Sequence, residues 1–120
     1  MRRNLDLIRK LVLAVEDIPP EILAVGVEID EFTPEEIGYH SYLLVDAGLA
    51  EGVDIGTVDS SLPEWRLSHL TWAGHDFADA ARDDSRWARA TTVVKEKAGT
   101  VTFDVLKQVL SSLIKNALGV

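Results

Sequence analysis

Cysteine is absent from this chain, so disulfides, a thiolate nucleophile and a Cys-rich zinc site are all excluded. Lysine and arginine are missing from the whole interval between Lys10 and Arg66, which holds thirteen Asp and Glu. No apolar run approaches the roughly 18 residues that span a bilayer. The opening Met1-Arg2-Arg3-Asn4 leads into a segment broken by Asp6, Arg9 and Lys10, without the long apolar stretch or cleavage site of a signal peptide. These absences predict a cytoplasmic protein with no membrane partner. What is present is 120 residues, 47% of them hydrophobic, enough to build one core without metal or disulfide staples.

The net charge of -8 is unevenly spread: residues 1–10 carry +3, residues 11–65 carry -13 and residues 66–120 carry +2. Duplex DNA is held through several Lys or Arg that neutralise phosphates, and a strongly negative surface repels the polymer. Any contact with nucleic acid therefore falls to the two flanks.

Leu5, Ile8, Val12 and Val15 recur at helical spacing and predict a first helix over 4–16, ended by Ile18-Pro19-Pro20. Val25, Val27 and Ile29 alternate with Gly26 and Glu28, which predicts a short strand within 22–29. Thr33 as N-cap, Pro34 at the first helical position and Glu36 three residues on from the cap form a capping box. Phe32 and Ile37 are placed as a hydrophobic staple. The second helix is predicted from Pro34 to about Ala47, closed by Gly48 in the left-handed conformation.

Residues 49–55 and 65–70, flanking a polar turn at Asp59-Ser60-Ser61 with Pro63, predict a hairpin. Thr71 caps a third helix to about Arg82, and Asp83-Asp84-Ser85 start a fourth, which carries Trp87, Ala90 and Val94 to Gly99. Thr102 caps a last helix in which Phe103, Leu106, Leu110, Leu113 and Ala117 form one apolar line and Val105, Val109 and Ile114 another.

The order helix, strand, helix, hairpin, helix resembles that of a winged helix. Leu43-Leu44-Val45-Asp46-Ala47-Gly48-Leu49 is similar to the end of a recognition helix, and Leu70-Thr71-Trp72-Ala73-Gly74 to the opening of the helix after the wing. Further phrases resemble an uncharacterised bacterial and phage family, domain of unknown function 2513. They are Leu5-Asp6-Leu7-Ile8-Arg9-Lys10, Tyr39-His40 with Tyr42-Leu43-Leu44, Leu70-Thr71-Trp72 with Gly74-His75, and Ala80-Ala81-Arg82-Asp83-Asp84. The likeness reaches Val101-Thr102-Phe103-Asp104-Val105-Leu106-Lys107 and so spans nearly the whole chain. It implies membership but brings no known activity, and no catalytic residue is carried over. The implied fold is α+β and mainly α: a winged-helix-like core over residues 1–82, with two appended helices over 83–120.

An ordinary winged helix sets a supporting helix before its reader, whereas here only the predicted strand fills that interval. The reader's surface carries Glu35, Glu36, Tyr39, His40, Ser41, Tyr42 and Asp46, with no Arg or Lys for guanine or phosphate. The wing carries Asp59 and Glu64 where minor-groove binders insert Arg. His40, beside the buried stripe of its helix, is expected to be a partly buried, hydrogen-bonded core residue or to stand at the rim of a partner site. His75 and Asp79 stand one turn apart but lack a third ligand, so they read as solvated surface, and His69 carries no signal. Trp65, Trp72 and Trp87 are expected to fill the joint between wing and helices. No nucleophile elbow or phosphate-cradling loop is present, so neither an enzyme nor a cofactor is expected.

The sequence therefore predicts a non-enzymatic module. Its partner-binding face is Glu35, Glu36, Tyr39, Tyr42 and Asp46. It self-associates through Phe103, Leu106, Val109, Leu110, Leu113 and Ile114. The alternative is a DNA-binding regulator using Arg82, Arg86, Arg89, Lys95 and Lys97 together with Arg2, Arg3, Arg9 and Lys10. A third reading takes the acidic half as a DNA mimic.

Overall fold

The computed structural model describes residues 1–22, 24, 26–59, 63–98 and 102–119, the side chains of Lys97 and Ala98 excepted. The chain is α+β and mainly helical, as the sequence predicts. Its helices are α1 (Leu5–Glu16), α2 (Pro34–Asp46), α3 (Trp72–Ala81), α4 (Asp84–Ala98) and α5 (Phe103–Leu118), with a hairpin of β1 (Ala50–Asp54) and β2 (Trp65–Leu70) between α2 and α3. It divides into two compact units, Met1–Ala78 and Asp79–Val120.

In the first unit α1 packs against α2 and β2, and α2 against both strands. Leu7, Leu11, Val12 and Val15 of α1, Leu44 of α2 and Leu67 of β2 are all but fully buried. Asn4, just ahead of α1, accepts the Leu7 N–H on its side chain at 3.1 Å and so satisfies one of the helix's orphan donors. At α2 both bonds of the capping box form. The Thr33 hydroxyl accepts from Glu36 N–H at 3.1 Å, and the Glu36 carboxylate accepts from Thr33 N–H at 3.0 Å. Thr33→Ala should cost about 1 kcal/mol, read as a lowered urea midpoint with an unchanged slope. Gly48 follows with φ 75°, a conformation that costs any residue bearing a Cβ.

Strict alternation along β2 would turn Leu67 and Leu70 to opposite faces, yet both are buried. A bulge resolves this. Glu51 pairs with His69 but Gly52 pairs with Leu67, leaving Ser68 as the extra residue, and its hydroxyl donates to the Glu51 carbonyl at 3.0 Å.

Thr71 joins the hairpin to α3. Its N–H donates to the Leu49 carbonyl at 3.0 Å and its hydroxyl donates to the Gly48 carbonyl at 2.6 Å. The same hydroxyl accepts the Gly74 N–H at 3.1 Å, as the predicted cap requires. The two phrases that resemble a winged helix, 43–49 and 70–74, are thus hydrogen-bonded to each other.

Three expectations need correction. Val25 lies outside the described residues, and the described residues of 22–29 form no strand; the sheet described has two strands. Alternation makes a strand only where a neighbour supplies ladder bonds, and none joins Gly26–Ile29 to β2 among the described residues. Trp72 is 85% exposed rather than core, because it occupies the first turn of α3 on the face of Ala73, His75 and Asp76, all exposed. Trp65 is half-buried and Trp87 is buried. Thr102 has the extended backbone of an N-cap but makes no side-chain capping bond. The turn residues Ser60 and Ser61, and Gly99, lie outside the described residues.

In the second unit α4 packs on α5. Asp83 caps α4 by accepting the Arg86 N–H at 2.7 Å. Trp87, Ala90 and Val94 of α4 and Leu106 and Leu110 of α5 are buried.

Candidate functional site

A cleft of about 910 Å³ opens in the first unit, walled by Gly26–Phe32, the start of α2 and the hairpin around Ile55 and Pro63–Arg66. Its lining includes five carboxylates, those of Glu28, Asp30, Glu31, Glu35 and Glu64, against one guanidinium, that of Arg66. Between the charges lie Val27, Ile29, Phe32, Ile37 and Trp65, all half-buried, so apolar surface remains open at the floor.

Local chemistry holds each wall. On the loop, Phe32 N–H donates to the Ile29 carbonyl at 3.3 Å, and Lys10 of α1 stands over the Phe32 ring at 5.5 Å in a cation–π contact. Glu31 takes φ 74°, the one described non-glycine residue with positive φ. On the hairpin, Arg66 turns its guanidinium toward Gly26, where a Cβ would lie 3.4 Å from a terminal nitrogen.

Of the residues expected to bind a partner, Glu35 lines this cleft. It continues along α2 with Tyr39, Tyr42 and Asp46 at spacings of four, three and four, which places the four on one helical line. Tyr39 and Tyr42 are half-buried, with ring centroids 6.1 Å apart, and Tyr42 lies 6.5 Å from the Trp65 ring. Glu36 falls on a neighbouring line and its carboxylate is engaged by Thr33.

His40 is 1% exposed and lies in the core, as predicted. A backbone N–H can only donate and a carbonyl can only accept. The Asn4 N–H at 2.8 Å therefore fixes Nε2 as acceptor, and the Glu36 carbonyl at 2.7 Å fixes Nδ1 as donor. The imidazole links α1 to α2 and is not among the residues that line the cleft. His69 stands 3.2 Å from a Glu51 oxygen in an exposed pair. Among the described residues no group of three His, Asp or Glu could hold a metal ion.

Of the basic residues named for nucleic acid, Arg86 and Arg89 lie one turn apart on α4, while Lys95 falls on the other side of its buried stripe. Arg82 pairs with Asp79 at 3.0 Å on open surface, a contact worth little net stability. Arg86 and Lys95, nine residues apart on α4, flank its buried stripe from opposite sides, and Arg89 is exposed. The Lys97 side chain lies outside the described residues. On α5, Leu106 and Leu110 are taken up within the chain, while Phe103, Val109, Leu113 and Ile114 are half-buried and Val105 is 40% exposed. The Phe103 ring also carries the Lys107 ammonium at 5.2 Å.

The first unit thus presents a small α+β scaffold with an acidic, apolar-floored cleft beside its hairpin. By its match to the model of the family described as "Hypothetical protein (DUF2513)" over residues 2–100, the chain belongs to that family. It is 35% identical to a Haemophilus influenzae protein described as "Uncharacterized protein", over 98% of this chain and 99% of that one. No solved structure matches the chain. No helix among the described residues is long and apolar enough to cross a membrane.

Proposed function

We propose that this chain is a non-enzymatic, winged-helix-like interaction module of the cytoplasm that binds a protein partner through the acidic cleft and the adjoining line of α2. The cleft's five carboxylates against one guanidinium, set around open apolar side chains, carry this reading. Apolar surface with a charged rim is the usual anatomy of a protein interface. A DNA reader needs cations where this face has anions. Self-association through the half-buried side chains of α5, Val109, Leu113 and Ile114, accompanies the proposal.

A photo-crosslinker at Tyr39 in cells should give a protein adduct that disappears when Glu35 and Asp46 are changed to Lys. The intact chain should leave duplex DNA unretarded at low salt. Strong retardation that falls steeply with salt and vanishes in Arg86→Ala with Arg89→Ala would instead establish the DNA-binding alternative. Light scattering checks self-association: a dimer that becomes a monomer in Leu113→Lys is expected, and a wild-type monomer overturns that part.

A further inference from the structure

Charge is divided between the two units. Residues 1–78 hold five Lys and Arg against fifteen Asp and Glu, a net -10, whereas residues 79–120 hold seven against five, a net +2. The anions of the cleft are also uncommitted. Among the described residues the carboxylates of Glu28, Asp30, Glu31 and Glu35 make no hydrogen bond or ion pair, and neither does the Arg66 guanidinium.

The second unit carries the opposite pattern on α4. Trp87, Ala90 and Val94 turn inward, and Arg86, Arg89 and Val93 follow one another at spacings of three and four on a line outside that stripe. Arg86 is half-buried, Arg89 is exposed and Val93 is 37% exposed. Neither guanidinium has an ion pair among the described residues. Two cations and an open apolar side chain on α4 thus answer free carboxylates around a half-buried apolar floor. The line runs on to Glu96, as the cleft includes Arg66, so the minority charges are opposite as well. Complementary fields of this kind fix which faces of two molecules meet. Every copy carries both faces, so two copies can exchange them about a two-fold axis.

We propose that the acidic cleft of one copy receives the Arg86–Arg89–Val93 line of α4 from a second copy, reciprocally, in a two-fold dimer. This rests on the reading of the cleft as a partner surface and names the partner as another copy of the same chain. Glu28 and Glu35, on opposite walls, take the two guanidiniums, and Val93 meets the floor at Phe32 and Ile37. Because α4 and α5 are packed on each other, the α5 contact arrives with it in the same dimer.

The test measures self-association of the full chain by sedimentation equilibrium, for the parent and two charge-reversed variants. One variant is Glu28→Lys with Glu35→Lys, and the other is Arg86→Glu with Arg89→Glu. The second pair lies on the first turns of α4, where carboxylates suit the helix dipole, so the fold is retained. Each variant alone sets like charges across both contacts and should associate more weakly by about tenfold or more. Their equimolar mixture sets lysine against glutamate in one contact and leaves native charges in the other. It should dimerise within about threefold of the parent. Glu28→Gln with Glu35→Gln should also weaken the dimer, and stands in for the lysine pair if that pair fails to fold. A monomeric parent, a dimer indifferent to either reversal, or a mixture that does not recover overturns the second copy as occupant. In that event, a Tyr39 crosslink to a different protein that still depends on Glu35 and Asp46 leaves the cleft reading standing. A crosslink indifferent to those two residues overturns the broader reading.

Discussion

Gly74→Ala should destabilise the chain by about 3 kcal/mol and lower its melting temperature by roughly 10 °C. In an exposed helix the same substitution would gain about 1 kcal/mol, since glycine carries the larger conformational entropy. Here a Cβ at residue 74 would overlap the Leu49 carbonyl oxygen and come within 3.1 Å of the Leu70 Cβ. The Leu49 carbonyl is backbone and cannot swing aside, because it also accepts the Thr71 N–H. Relief therefore means moving the first turn of α3 away from the end of α2, which breaks the Thr71 bonds to Gly48 and Leu49 as well. Overpacking dominates the propensity gain. Thermal unfolding followed by circular dichroism decides it, and an unchanged or raised midpoint would show that the junction yields. Gly48→Ala is a useful comparison. Nothing lies within 4 Å of its would-be Cβ, so it reports only the left-handed backbone, at about 1 kcal/mol.

His40→Ala should cost about 3 kcal/mol, in two separable parts. Removing a fully buried ring leaves a cavity among α1 and α2, and removing Nε2 leaves the Asn4 N–H without its acceptor. His40→Leu isolates the second part: it fills most of the space and should cost about 1 to 2 kcal/mol. Urea denaturation gives both values. In the leucine variant the Asn4 amide should also exchange faster with solvent, a change that mere loss of packing would not confine to residue 4. An alanine variant within about 0.5 kcal/mol of the parent would show that α1 is held by its apolar stripe alone.

Both predictions turn on contacts between segments far apart in sequence, and the same division runs through the candidate site. Thr33-Pro34 with Glu36 marked the start of α2 from contiguous residues, and a capping box depends on nothing beyond its own turn. Gly48, Thr71 and Asp83 were legible for the same reason, and the hairpin followed from alternation on both sides of a polar turn. Glu35 at the rim was legible too, as an acidic residue on a capped helix lacking Lys or Arg. The other wall was not. Glu28 sits in the segment predicted as a strand and Asp30 and Glu31 follow it, and their place at a cleft depends on a gap to Pro63–Arg66 that no local pattern encodes. Asn4 was missed as the cap of α1 although Asn before an apolar periodic run is a recognised signal.

Caps, periodicity and the charge distribution, which are carried by neighbouring residues, were written in the order of amino acids alone. Tertiary packing decided that Gly26–Ile29 stand apart from β2, that a bulge at Ser68 brings Leu67 and Leu70 to one face, and that His40 finds its acceptor role 36 residues away at Asn4. Ladder bonds and buried polar partners join groups distant along the chain, and only folding determines which of them meet.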